Sequence, residues 1–155
     1  MPLPAWFKRY VLSFALATVL LPLLTIIAAP LLLGTAAGAA VQRAAGPPLF
    51  LLLAQLFMEA TTEAASRDWA ALVRILNPIG FNSFRLYPLF QWVASSAGLA
   101  AGAMAAADAP LHARAFALWV AVLAGVNVCL WLYNLFGFLL LKALPLYLDA
   151  SRFAT

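Results

Sequence analysis

The sequence predicts an all-α integral membrane protein: a small bundle of three transmembrane helices plus an interfacial or re-entrant helical segment, with four spans as the alternative. Two observations predict this class. Of the 155 residues, 66% are hydrophobic and 9% are charged, whereas an ordinary soluble domain has about 25% charged residues. Uncharged runs also reach the roughly 20 residues needed to cross the hydrocarbon core of a bilayer. We expect a single membrane domain, residues 1–155, with spans at about 10–33, 48–66 and 115–141 and the additional segment at 84–107.

The first two predicted spans are separated by a stretch of small residues. Residues 10–33 carry no charge, and Pro22 is expected to kink the helix that they form. Residues 34–46 consist mainly of alanine and glycine, which suggests a flexible linker. Pro47 and Pro48 then suit the first turn of the second helix, because the backbone N–H that proline lacks has no intrahelical partner there.

The second half of the chain predicts a break, an ambiguous segment and a strong final span. Ser66–Arg85 is polar and contains the turn signature Asn77–Gly80, so we expect the helix to be interrupted here. Leu86–Ala107 has no charge, but its second half is rich in alanine, glycine and serine. It therefore suits either a fourth span or an interfacial helix. Residues 115–141 form the most apolar run, which Pro145 is expected to prevent from continuing.

The basic residues bear on orientation and on partners. With four spans, most of the lysines and arginines fall on the side of the N-terminus. With three spans the excess on that side is smaller, so the positive-inside rule favours four spans. With either number it puts the N-terminus on the cytoplasmic side or its stromal or matrix equivalent. The basic residues are scattered rather than clustered, so nucleic acid is excluded as a partner. The expected partners are larger integral membrane proteins and lipids.

A polar stripe along the second predicted helix is the main candidate site. Gln55, Glu59, Glu63 and Arg67 recur every four residues and therefore share one drifting face. A charged side chain at membrane depth costs about 2.5–3.5 kcal/mol, so Glu59 must pair, face protein or be protonated. The favoured interpretation is a buried structural lock between Glu59 and an arginine of the polar break. The alternative is a proton or ion relay at Glu59 in a small transporter or channel. The full set of lock candidates is Gln55, Glu59, Glu63, Arg67, Arg74 and Arg85.

A second polar face lies on the last predicted span. Asn127, Trp131 and Asn134 recur at helical spacing, with Gly137 on the neighbouring turn. Asparagine amides form hydrogen bonds between membrane helices, so helix packing is the favoured role, with pigment or lipid contact as the alternative. His112 lies in a predicted polar loop and is a weaker candidate as a pigment ligand. No cofactor is required by the sequence, although bound lipid, chlorophyll or carotenoid would fit these contacts.

No pattern in the chain predicts catalysis. The sequence has one histidine and one cysteine, far apart, and it contains no glycine-rich phosphate loop and no paired metal ligands. We therefore expect a protein that is not an enzyme and that has no catalytic residues and no metal site. The remaining alternative to a subunit or a transporter is a lipid-binding protein that shapes the bilayer.

Three strings point beyond composition to a family. They are LLLAQLFMEA at 51–60, NSFRLYPLFQW at 82–92 and GVNVCLWLYNLFGFLL at 125–140. In this order and spacing they resemble a family of uncharacterised small multi-pass membrane proteins of plants and green algae, which share Q-x-F-M-E, N-S-x-R and N-L-F-G-F motifs. The chain departs from that pattern at Gln91, where the family has an acid. The resemblance implies an interfacial helix after Arg85 and a plastid membrane, thylakoid or inner envelope. It supports a non-catalytic subunit that stabilises a larger complex.

Overall fold

The described residues form helices and short connections. The computed structural model describes the backbone of residues 5–65 and 67–152, and the side chains of residues 9–61, 76–146 and 148–149. No strand occurs in this part of the chain. The elements are α1 (Ala5–Ala15), a π-helical turn (Leu16–Leu20), α2 (Leu21–Leu33), α3 (Thr35–Ala65), α4 (Arg67–Ala105), α5 (Leu111–Leu132), a π-helical segment (Tyr133–Ala143) and α6 (Leu144–Arg152).

Among the described residues, three stretches are long and apolar enough to cross a membrane. They are Arg9–Leu33, Thr35–Thr61 and Leu111–Leu146, and we refer to them as the first, second and last spans. Large apolar side chains on the outside of the first span match a lipid environment, in which exposing hydrocarbon carries no penalty. The exposed set on this span includes Leu12, Leu16, Leu23, Ile27 and Leu31. These findings confirm the predicted all-α membrane class.

Neighbouring helices are antiparallel, as cross-helix contacts show. The Gln42 side chain contacts Ile26, so α3 runs back along α2 after a turn at Gly34, whose φ is 79°. The Arg85 side chain contacts Gln55, and Ala40 and Ala44 lie near Ser95, so α4 is antiparallel to α3. The last span returns along the first, because Trp119 contacts Thr25 and Asn127 contacts Ala17. The chain is therefore an up-and-down bundle.

The inner face of α4 explains why this helix looks ambiguous in sequence. Its buried positions recur every three or four residues, as one face of a helix requires. The buried positions include Asn82, Arg85, Leu89, Trp92, Ser96 and Ala100. The polar ones among them lower the hydropathy of the segment, although they face protein and not lipid. α4 packs between α3 and α5. It is not one of the stretches of described residues that are apolar enough to cross a membrane, which agrees with the prediction of three spans plus an additional helical segment at 84–107.

The structure differs from the sequence prediction at the helix boundaries. The predicted linker 34–46 is helical from Thr35 onward, and Pro47 and Pro48 lie inside α3. Alanine has the highest helix propensity, so this stretch favours helix over a flexible linker. The predicted turn at Asn77–Gly80 lies inside α4. The last helix also continues past Pro145 to Arg152.

Two prolines of the first span leave backbone carbonyls that neighbouring helices satisfy. Pro30 has no N–H, so the carbonyl of Ile26 loses its usual helical donor. The Gln42 Nε2 donates to that oxygen at 3.2 Å. In the π-helical turn, Leu21 N–H bonds to Leu16 O, so the next donor in this pattern would be Pro22, which has none. The Asn127 Nδ2 donates to the carbonyl left free there, that of Ala17, at 3.1 Å.

This arrangement predicts an energetic coupling between Gln42 and Pro30. Gln42→Leu is expected to lower the free energy of unfolding by about 1 kcal/mol, as interhelical hydrogen bonds in membranes do. In a Pro30→Ala background the helix regains its own donor to Ile26 O, so the same substitution is expected to have little effect. Unfolding in mixed detergent micelles measures all four proteins of this cycle. Equal effects of Gln42→Leu in both backgrounds would contradict the assignment.

Candidate functional site: a buried arginine network

Arg85 is the centre of a polar network inside the bundle. Its side chain is fully buried. Its Nη1 donates to Asn82 Oδ1 at 2.8 Å, one helical turn away on α4, and its Nη2 donates to Gln55 Oε1 at 2.9 Å on α3. Charge-assisted hydrogen bonds of this kind are about twice as strong as neutral ones. The guanidinium therefore joins α3 and α4.

Glu59 reaches this arginine through an intermediary. Gln55 Nε2 donates to Glu59 Oε1 at 2.7 Å, while Gln55 Oε1 accepts from Arg85. A glutamine amide has both donors and an acceptor, so it can accept from the guanidinium and donate to the carboxylate at the same time. The predicted direct contact between Glu59 and an arginine is replaced by this three-residue chain. Gln55 is its central member because helical spacing places it one turn before Glu59.

An aromatic pair completes the network from the opposite side. The Arg85 Cζ lies 3.9 Å from the centroid of the Trp131 ring, which is the geometry of a cation–π contact. The rings of Trp131 and Phe14 pack edge to face, with centroids 4.9 Å apart and ring planes at 78°. A cation–π contact is stronger when the cation is desolvated, and the Arg85 guanidinium is fully buried. Arg85 thus links α4 to the last span, and Trp131 links that span to α1.

The network lies near one side of the predicted membrane. Trp131, which contacts Arg85, also packs against Phe14, five residues after the charged Arg9 of the first span. Glu59 lies one turn beyond Gln55 on α3, in the direction of this same side. The cation is therefore the deeper charge and Glu59 the shallower one, which reverses the expectation that Glu59 is the isolated charge at depth. Two acceptors and a ring offset part of the cost of burying Arg85 at this level.

Two donors of the network have no acceptor among the described residues. They are Arg85 Nε and Asn82 Nδ2, and both side chains are fully buried. Buried donors are normally satisfied by protein or by ordered water. The described residues contain no group of three or more potential metal ligands. The hydrogen bonds that are present hold the Arg85 guanidinium between α3 and α4.

Three of the predicted lock residues have side chains that the structure does not describe. The side chains of Glu63, Arg67 and Arg74 lie outside the described residues. Of the lock candidates, the structure therefore brings together Gln55, Glu59 and Arg85.

Only part of the second predicted face joins the network. Trp131 contacts Arg85, and Asn127 binds the first span. Asn134 is half-buried in the π-helical segment, without a hydrogen bond from its side chain to any described residue. An added Cβ at Gly137 would lie 3.0 Å from the ring of Tyr133, one turn earlier in the same helix. The close contact at Gly137 is therefore with its own helix and not with a neighbouring one. His112 lies in the first turn of α5 and is exposed, not in a loop.

Sequence reasoning missed Asn82 as a member of the network. It falls in the stretch where a break in the helix is predicted, but it lies inside α4 and its side chain faces the core. The signal for its role is the three-residue spacing from Asn82 to Arg85, which puts an acceptor one turn from the guanidinium.

Comparison with known proteins assigns the chain to a family. Residues 3–151 match a domain of unknown function, DUF7733. The chain belongs to the DUF7733 family. It matches no curated protein and no solved structure. The arginine network and both proline-linked hydrogen bonds lie within the matched region, so in this DUF7733 member the whole bundle is the family domain.

Proposed function

We propose that this DUF7733 protein is a non-catalytic integral membrane subunit that packs against and stabilises a larger membrane protein complex. The observation that carries the proposal is an exposed face of small residues in the second half of α4. Small residues on a membrane helix allow a second helix to approach closely, and van der Waals packing then drives association. The members of this small-residue face are Ala94, Ala97, Gly98, Ala101 and Gly102.

The contrast with the rest of the bundle supports the proposal. The large exposed side chains of the first span are mainly leucines, and α5 exposes Leu118, Val122 and Val126. These side chains suit lipid tails. At Gly98 and Gly102 an added Cβ would meet no atom within 4 Å, so these glycines are not required by packing within the chain. Their openness fits a contact with another protein.

The transporter alternative receives less support from the geometry. A relay requires ionisable groups distributed across the bilayer. Glu59 lies one turn beyond Gln55 towards the side of Arg9, and the deeper member of its network is an arginine, which does not release its proton. The network therefore suits a lock that keeps the bundle rigid for assembly.

The proposed setting is a plastid membrane, either the thylakoid or the inner envelope. It rests on the resemblance of the Q-x-F-M-E, N-S-x-R and N-L-F-G-F strings to small membrane proteins of plants and green algae. We place the N-terminus on the stromal side. Lys142 lies at the same end of the bundle as the N-terminus, whereas Arg43 and Arg114 lie towards the other end, which agrees in sign with the positive-inside rule.

A substitution on the small-residue face tests the proposal. Gly98→Leu is expected to reduce the fraction of the chain that comigrates with a larger complex by at least about tenfold, which corresponds to about 1.4 kcal/mol. The leucine side chain would hold the partner helix away from α4. The measurement is native electrophoresis of plastid membranes solubilised in mild detergent.

The matched control places a bulky side chain on the lipid-facing side of α2. Leu31 is 82% exposed, and Leu31→Phe is expected to leave comigration unchanged. Both variants should retain the unfolding midpoint of the purified chain, because neither new side chain enters the core. A wild-type chain that migrates alone in every plastid membrane would overturn the proposal.

A further inference from the structure

A groove between α3 and α4 combines small residues with unpartnered polar groups. It has a volume of about 420 Å³ and is lined by Ala40, Arg43, Ala44, Gln91, Ala94 and Ser95. A smaller cavity of about 30 Å³ adjoins it, sharing Ala40, Ala44 and Ser95 and reaching Trp92. We call the two spaces together the α3–α4 groove. Neither Arg43 nor Gln91 belongs to the arginine network.

The polar groups of the groove lie well inside the predicted membrane. Gln42 bonds to Ile26 of the first span, so its neighbour Arg43 lies near the same level. Continuing the antiparallel registers puts Gln91 level with about Leu49 on α3 and Val19, near the middle of the first span, Arg9–Leu33. Both Arg43 and Gln91 are exposed. Polar side chains at such depth normally face protein, because lipid tails offer them no partner.

The chemistry of the groove is that of hydrogen-bond donors. Arg43 and Gln91 form no hydrogen bond with any described residue. The Trp92 side chain is 1% exposed, and its indole N–H has no acceptor in the described part of the chain. A guanidinium and an indole donate only, while an amide can donate and accept. The complementary group is therefore an acceptor rich in oxygen, and the charge of Arg43 favours an anion.

We infer that the α3–α4 groove binds a transmembrane helix of a partner protein through an acidic side chain, whose carboxylate pairs with Arg43. This inference rests on the proposed subunit function and specifies the chemistry of the partner. Ala40, Ala44 and Ala94 leave room for the backbone of the incoming helix. Arginine presents a planar fork that matches a carboxylate with two parallel hydrogen bonds.

Depth favours a protein helix over a lipid headgroup. Arg43 alone would suit a phosphate, since its long side chain reaches towards the membrane surface. Gln91 lies near mid-depth, where only acyl chains occur and no headgroup supplies an acceptor. A transmembrane helix brings backbone and side-chain oxygens to that level. It therefore accounts for both polar residues, whereas a lipid accounts for one.

Model transmembrane peptides test the inference without knowledge of the partner. The full chain is reconstituted in phosphatidylcholine vesicles with leucine-rich peptides that carry glutamate, glutamine or leucine at the level of Arg43. Energy transfer between labelled protein and labelled peptide measures association. The glutamate peptide is expected to bind at least about tenfold more tightly than the leucine peptide, with the glutamine peptide between them.

Arg43→Met is expected to bring the glutamate and leucine peptides within about twofold of each other, and Arg43→Lys to retain part of the difference. The matched control is Lys142→Met, which removes an exposed cation near the opposite end of the bundle and should leave the preference intact. Equal binding of the three peptides to the wild-type protein would overturn the inference. So would loss of the glutamate preference when phosphatidylglycerol is added, because the groove would then hold an anionic lipid.

The outcome is separable from that of the proposed function. If the wild-type chain comigrates with a larger complex in native gels but shows no glutamate preference in vesicles, the acidic helix is wrong and the subunit function stands. If the chain always migrates alone, the subunit function fails whatever the peptides show.

Discussion

Arg85→Met is expected to lower the free energy of unfolding by about 3–5 kcal/mol, the usual cost of removing one member of a buried charged network. Methionine fills much of the same space, but it donates no hydrogen bond. Asn82 Oδ1 and Gln55 Oε1 both lose their arginine donor, and the Trp131 ring loses its cation. The bundle loses contacts between α3 and α4 and between α4 and the last span at a single site.

Unfolding of the purified chain in mixed micelles measures this effect, and the chain supplies a matched arginine. Arg43 is exposed and has no hydrogen bond to a described residue, so Arg43→Met is expected to change the unfolding free energy by less than about 0.5 kcal/mol. Arg85→Lys should lie between the wild type and Arg85→Met, since an ammonium keeps the charge but not the fork. Equal stability of Arg85→Met and Arg43→Met would show that the network is not structural.

Hydrophobicity and helical spacing were sufficient to predict the class and part of the site. Three long apolar stretches were recognisable because the cost of exposing polar backbone in lipid leaves few alternatives to helices. The four-residue spacing put Gln55 and Glu59 on one face, and the cost of a charge in lipid predicted an arginine of the following segment in the same network, although Gln55 and not Glu59 contacts it. These inferences depend on local sequence and on a general energetic cost, so they required no tertiary information.

The parts that sequence reasoning missed depend on contacts between distant residues. Pro30 and Pro22 look like helix breakers until Gln42 and Asn127, which lie on other helices, satisfy the freed carbonyls. Helix propensity depends on residues that are close in sequence, so it cannot predict these partners. The inner face of α4 was similarly hidden, because hydropathy averages Asn82 and Arg85 with their neighbours although both side chains point into protein. The groove at Arg43 was missed because the alanine and glycine content of residues 34–46 suggests a linker, although these residues belong to α3 from Thr35 onward.

Gly38→Ala is expected to destabilise the bundle by about 3 kcal/mol or more, the upper part of the range for overpacked sites. An added Cβ at this position would lie 2.9 Å from the carbonyl carbon of Ala29 and closer still to the backbone of Pro30. Real Cβ atoms essentially never approach backbone so closely. The obstacle is main chain in a packed helix and not the end of a flexible side chain, so α2 and α3 would have to move apart.

Two glycines at open helical positions provide the control for this prediction. At Gly46 on α3 and Gly98 on α4 an added Cβ would meet no atom within 4 Å. Alanine there is expected to be neutral or to stabilise the protein by up to about 1 kcal/mol, because it favours helix more than glycine does. The same chemical change should therefore have opposite signs at Gly38 and at the two open positions. Thermal unfolding in detergent, followed by circular dichroism, compares the three variants, and a stabilising Gly38→Ala would contradict the close packing of α2 against α3.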